Sequence, residues 1–226
     1  MPIRQDRLPT APTTDLLHAF DRTISQDRWR TYQIASGFDN GLAHRLYLWN
    51  AALGQSFHFP LQCAEVALRN VTHRALSVDH SAAWCYERQC LSLLDNYSIA
   101  AIEKARHRLR LKHDSDPIAP QIVATLPLGF WVNLLKQRYH DVLWTGHSAN
   151  AFPHLNENET LSSVRSVASH IRRFRNRVFH HEPLIRHDLT KEYSRILQLL
   201  GWICPETRDW MRRHASVPRV IRERPR

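Results

Sequence analysis

Apolar positions recur along this chain at helical spacing of three and four, and no stretch alternates apolar and polar residues as a half-buried strand would. Thr13, Thr14 and Asp15 form an N-cap for a helix through Leu16, Leu17, Phe20 and Ile24, extending to Ile34. Asp39-Asn40-Gly41 starts a second helix carrying Leu42, Leu46, Tyr47 and Trp49. It is expected to stop before Pro60, because the residue preceding proline avoids the α region; Pro60 then opens another helix, Leu61 to about Val78. Asp95 and Asn96 cap a basic amphipathic helix from Ile99 to about Lys112. A short helix from about Ala119 and a Trp-rich one from Gly129 to about Val142 follow, and 145–159, rich in Asn, His and Gly, reads as an exposed loop. Thr160 or Ser162 begins the longest well-formed helix of the C-terminal half, which Glu182-Pro183 ends. Asp188 caps another through Leu200, and Pro205 opens a last short one to about His214.

This pattern predicts an all-α bundle. His113-Asp114-Ser115-Asp116-Pro117 reads as a linker between an N-terminal half (1–112) and a C-terminal half (113–216) that pack as one domain. The stretch 217–226, with two prolines and four arginines, reads as a mobile basic tail.

A length of 226 residues with 43% apolar content supplies a real core, which excludes intrinsic disorder and a disulfide-stapled miniprotein. Six glycines, with no GxGxxG and no GxxxxGK[ST], argue against a Rossmann or P-loop enzyme. Cys63, Cys85, Cys90 and Cys204 lack CxxC spacing, and the histidines offer no HExxH, so reduced thiols and no metal or cofactor are expected. Trp49, Trp131, Trp144 and Trp202 sit among Leu and Val and read mostly as core, with one or two exposed rings left to stack on bases. MPIRQDRLPTAPTT holds no apolar run of signal-peptide length, and no window approaches a membrane span. The expectation is a soluble, cytoplasmic protein with no membrane partner.

Charge sharpens this picture. The net charge is +10, and from Arg165 to Arg226 there are 15 basic residues against 6 acids, so nine of the ten excess charges lie in that stretch. Such a field favours a polyanion, nucleic acid first. A solvated basic face kept for solubility gives the same arithmetic.

The chemistry concentrates in Arg172-Arg173-Phe174-Arg175-Asn176-Arg177-Val178-Phe179-His180-His181-Glu182-Pro183. At about 100° per residue with Ile171 as zero, Val164, Val167, Phe174 and Val178 fall within about 60° and form the core stripe. Asn176 and His180 fall at about 140° and 180°, opposite that stripe, and Arg175 at about 40°, on its shoulder. An imidazole beside a guanidinium suits RNA cleavage: one moves a proton at the 2′-hydroxyl or the leaving 5′-oxygen, the other holds the phosphate. The RNA brings its own nucleophile. Basic residues in a last helical turn also complement the macrodipole, a role that suffices for Arg177 and His181.

Arg175-Asn176-Arg177-Val178-Phe179-His180 resembles the signature of HEPN ribonucleases, an arginine followed after four to six residues by a histidine. Its continuation His181-Glu182-Pro183-Leu184 resembles the form found in the Abi-like (abortive infection) branch. Leu46-Tyr47-Leu48-Trp49-Asn50, Glu65-Val66-Ala67-Leu68-Arg69-Asn70 and Leu128-Gly129-Phe130-Trp131-Val132-Asn133-Leu134-Leu135 fit the same branch. The resemblance implies a HEPN-type helical bundle, here with additional N-terminal and C-terminal helices, whose motif faces a composite cleft in a homodimer. It implies metal-independent RNA cleavage leaving a 2′,3′-cyclic phosphate, in a toxin or phage-defence effector. Arg175 and His180 become the catalytic pair, Asn176 the orienting residue, and Arg172, Arg173 and Arg177 the RNA-gripping border.

Glu65 sits at the edge of its helix's core stripe and carries two readings. One is an i,i+4 ion pair with Arg69, worth about 0.3–0.5 kcal/mol. The other sends Glu65 across the bundle to fix the direction of Arg175, and Arg69 and His181 are further candidates for support of the pair. Two other functions remain beside catalysis: a non-catalytic RNA-binding module, and a toxin–antitoxin partner whose motif face is covered by an antitoxin protein or restrained by a regulatory RNA.

Overall fold

Side-chain oxygens set where the helices begin. Asp39 Oδ1 accepts from the Leu42 N–H at 2.8 Å, Asp95 Oδ1 from Ser98 at 2.9 Å and Asp188 Oδ1 from Lys191 at 3.0 Å, each satisfying a free donor of a first turn. The computed structural model describes residues 13–226; most of the N-terminal stretch read above for a signal peptide, residues 1–12, lies outside the described residues. Among the described residues there is no strand. The α-helices are α1 (Thr14–Phe20), α2 (Gln26–Ala35), α3 (Asn40–Asp79), α4 (Arg88–Leu93), α5 (Asn96–His113) and α6 (Ala119–Thr125). They continue as α7 (Leu128–Asn133), α8 (Ser148–Ala151), α9 (Leu161–Phe179), α10 (Leu189–Ile203), α11 (Pro205–His214) and α12 (Val217–Arg222). The first predicted helix is two: a π turn at Asp21–Ser25 separates α1 from α2, with Ser25 at a left-handed φ of 74°.

The largest departure from the sequence pattern is α3. It runs 40 residues through Pro60 without stopping. Proline in a helix interior removes one hydrogen bond and costs about 3 kcal/mol. Against that, Leu53, Phe57, Pro60, Leu61, Ala64 and Leu68 form one buried stripe across the proline, and each large apolar side chain so buried contributes roughly 1.5–3 kcal/mol. Tertiary packing outweighs the local rule. The helix α3 is the axle of the fold, packed against α2, α7, α8, α9, α10, α11 and α12. On it lies α9, with Phe174 edge-on to Phe57 at 4.8 Å between ring centroids.

The buried side chains form one cluster from Trp29 to Val220, so the segments on either side of 113–117 share a core. Within that junction Asp114 adopts the left-handed conformation that ends α5, and the Tyr86 hydroxyl donates to the Pro117 carbonyl. The residues read as a mobile basic tail are in fact largely ordered by docking: α12 buries Val217 and Val220, and the Trp49 indole donates to the Val220 carbonyl at 2.6 Å. Proline and arginine content hid an apolar pair three apart, and Pro218 sits in the first turn, where its missing N–H costs nothing.

The Trp-rich helix is also shorter than its pattern, because α7 ends at Asn133 and short 3-10 and π turns carry the chain to Trp144. The Trp144 indole takes the Leu134 carbonyl at 2.8 Å, which a continuing helix would have used. Asn133 donates to both Asp95 oxygens at 3.0 Å and to the Ser98 hydroxyl at 2.9 Å. Burial acts to raise the Asp95 carboxyl, but hydrogen bonds from Asn133, Ser98 and Tyr139 outweigh it and hold its pKa at about 2. The stretch read as an exposed loop contains α8, and Ala151 and Phe152 within it are buried. Among the described residues no helix is long and apolar enough to cross a membrane.

Candidate functional site

The last turns of α9 present the motif as the helical wheel requires. Val164, Ala168, Ile171, Phe174 and Val178 are buried, while Asn176 and His180 are exposed. Capping then shapes the end of the helix. His180 is the C-cap, with its N–H on the Asn176 carbonyl at 2.8 Å. The His181 N–H bonds Val178 O at 3.1 Å and the Glu182 N–H bonds Arg177 O at 2.9 Å, the paired bonds of a Schellman ending. That ending needs a left-handed residue, usually glycine, and here His181 supplies it at φ 55°. The His181 carbonyl accepts from Arg28 Nη1 at 2.9 Å, and the next apolar residue, Leu184, donates its N–H to Asn50 Oδ1 at 2.6 Å. The turn after the motif is thus pinned to both α2 and α3.

Arg175 is held by two contacts. Its Nε donates to Glu65 Oε2 at 3.3 Å, with the two side chains 30% and 25% exposed. Its guanidinium carbon lies 4.2 Å from the centroid of the Phe179 ring, one turn on. Glu65 therefore reaches across to α9. The Arg69 Nε instead meets Asn70 Oδ1 at 3.4 Å, and no Glu65–Arg69 ion pair forms.

Of the three arginines expected as a common border, Arg172 is separated from Arg173 and Arg177. Arg172 lies half-buried across Gly129 of α7, its Cδ and guanidinium within 4 Å of where a β-carbon would stand. Gly129 also admits the Tyr97 hydroxyl, which would be 2.8 Å from that carbon. Arg173 and Arg177 line a shallow pocket of about 180 Å³ with His170, His187 and Glu192, and Arg177 is paired with Glu182 at 2.7 Å. His181 borders a different and larger cleft, of about 600 Å³, between α2, α3 and the end of α9.

That cleft brings together residues that sequence reasoning did not assign: Arg28, Gln55, His58 and Phe179. Only Phe179 carried a signal, as an apolar residue off the predicted core stripe, and it is 41% exposed. The named tryptophans Trp49, Trp131, Trp144 and Trp202 are all buried, and the exposed indole is Trp210. Cys85 and Cys90 are buried free thiols, and burial first, then the nearby charges of Glu87 and Cys85, push Cys90 up to about 12. Among the described residues no group of three or more His, Cys, Asp or Glu side chains is placed to hold a metal ion.

The fold so described is all-α, with a polar arginine–histidine motif at an exposed helix end. The chain matches no family model, no curated protein and no solved structure.

Proposed function

We propose that this protein is an endoribonuclease of the Abi-like HEPN kind, needing no metal and acting as a homodimer in a toxin or phage-defence role. The observation that carries the reading is the setting of Arg175: a guanidinium fixed by Glu65 at 3.3 Å and by the Phe179 ring, in the same helix end that exposes Asn176 and His180. A held cation and a free imidazole are what phosphodiester transfer asks of a protein.

In the proposed reaction the 2′-oxygen of the RNA attacks the adjacent phosphorus and the bond to the 5′-oxygen breaks. One proton leaves the 2′-hydroxyl and one reaches the departing 5′-oxygen, with His180 carrying the transfer. Arg175 stabilises the charge that builds on the phosphate, and Asn176 orients it. The products are a 2′,3′-cyclic phosphate and a 5′-hydroxyl. Arg173, exposed on the same helix, adds attraction for the strand that weakens as salt rises, whereas the charge of Arg177 is offset by Glu182.

The test is cleavage of RNA by Arg175→Ala and His180→Ala. Each is expected to lose at least a hundredfold in rate with unchanged helix content and dimerisation. Normal cutting by either variant removes the chemistry from this pair.

A further inference from the structure

The cleft beside the motif has a composition of its own. Its volume, about 600 Å³, falls in the roughly 300–1,000 Å³ range of pockets that enclose small organic groups. Phe179 gives it an aromatic wall, with the His58 ring 5.5 Å away and tilted by 32°. Asn50 and Gln55 bring amides from α3, and Arg28 brings a cation from α2. The Asn50 amide is held in one orientation: its oxygen accepts from the Leu184 N–H at 2.6 Å, so its NH₂ group is the part left to donate. The carboxylate on the rim, Glu182, is already paired with Arg177 at 2.7 Å and does not stand as a free negative charge against a phosphate.

We infer that this cleft is a nucleobase pocket, which takes one unstacked base of single-stranded RNA next to the phosphate held at Arg175. The choice of an RNA strand as occupant rests on the ribonuclease reading. Aromatic walls with amides at the edge and a cation nearby are how proteins hold a splayed-out base and read its edge. Phe179 joins the two sites, since the same ring lies under the Arg175 guanidinium at 4.2 Å and lines the cleft. The pocket is consequently a specificity element, selecting which base flanks the cut.

Gly54 makes the inference testable. It lines the cleft, and a β-carbon built on it meets nothing within 4 Å. Gly54→Leu therefore fills the cleft with a side chain that a helix readily accepts. Asn50 is a poorer probe, because its loss strands the Leu184 N–H.

The experiment compares Gly54→Leu, Gln55→Ala and, as control, Gln62→Ala, an exposed α3 residue outside the cleft, each combined with His180→Ala so that RNA stays intact. Anisotropy in EDTA reads binding of short labelled single-stranded oligonucleotides of uridine, cytidine or adenosine, of a duplex RNA, and of the free nucleoside monophosphates. The same substitutions without His180→Ala are mapped for cleavage position on total RNA. Expected is a loss of about tenfold or more in single-strand affinity for Gly54→Leu, the size of one stacked base. A smaller loss with altered base preference is expected for Gln55→Ala, with duplex binding and Gln62→Ala unchanged.

If folded Gly54→Leu binds every oligonucleotide like its parent and cuts at the same positions, the pocket assignment falls while catalysis can stand. If the parent binds oligonucleotides through this cleft but no preparation produces cyclic phosphate ends, catalysis falls and the pocket stands. A free monophosphate that binds as tightly as the oligonucleotide, and is lost with Gly54→Leu, makes the cleft a nucleotide-effector site and overturns the strand assignment.

Discussion

The Nε of Arg175 and the Oε2 of Glu65 meet at 3.3 Å across 110 positions of sequence, joining α9 to the middle of α3. Both side chains keep contact with water, at 30% and 25% exposure, so the pair adds only about 0.2–1 kcal/mol to stability. Its consequence is directional. An arginine tethered through Nε, with an aromatic ring against its plane, has its remaining N–H donors held in one orientation.

Glu65→Gln is therefore expected to leave urea stability within about 1 kcal/mol of the parent while lowering RNA cleavage at least tenfold, because small misplacements of a catalytic cation are costly. Arg69→Ala, whose side chain bonds Asn70 and forms no ion pair with Glu65, is expected to cut normally. Equal activity of Glu65→Gln and the parent would reduce the pair to surface electrostatics. Rate assays beside urea melts make the comparison.

Removing residues 217–226 is expected to destabilise the protein, by roughly 3 kcal/mol or more from the lost burial of Val217 and Val220. The Trp49 indole loses its acceptor at the same time. Tryptophan emission should shift to the red and the melting temperature should fall; a melt unchanged by the truncation would mean that α12 does not dock.

His181→Gly is expected to stabilise the fold by about 0.5–1 kcal/mol, since glycine takes the left-handed φ of 55° without strain. His181→Val, β-branched at the same position, is expected to lose about 1 kcal/mol or more. Urea midpoints report both, and the opposite order would contradict the Schellman ending of α9.

Asp95 gives a pH signature. Its folded pKa of about 2 lies below its ordinary value of 3.8. The stability it contributes is thus fully present above pH 3.8 and lost as pH falls through about 2. Allowing for solvent screening, that contribution is about 1–2 kcal/mol. Asp95→Asn is expected to be less stable at neutral pH and to show a correspondingly shallower fall in acid, measured by melts across that range. Parallel curves for the two proteins would contradict the network with Asn133 and Ser98.

What the sequence revealed was what depends on near neighbours. Asp39, Asp95 and Asp188 declared helix starts because a cap bonds an N–H three residues on, and the stripe of α9 declared its buried face by period. Pro60 misled because its penalty is local while the stripe that overrides it is tertiary. Val217 and Val220 were obscured by the arginines and prolines around them. Glu65 stood at a stripe edge, which allowed either partner, and only the packing of α9 on α3 selects Arg175. The cleft was invisible for a related reason: Arg28, Gly54, Gln55, His58 and Phe179 come from three elements, and nothing in the spacing of any one of them points to the others. Asn50 and Asn133 lie in stretches that carried the family resemblance, and the structure gives them physical tasks, holding the Leu184 N–H and the Asp95 carboxylate.

The ends left on cleaved RNA report on the chemistry proposed for Arg175 and His180. Purified protein is incubated with total RNA in EDTA and the new termini are analysed, with Arg175→Ala and His180→Ala in parallel. The parent is expected to leave 2′,3′-cyclic phosphate and 5′-hydroxyl ends, and the two variants neither. Intact RNA with the parent protein, or the same ends produced by both variants, would contradict that chemistry.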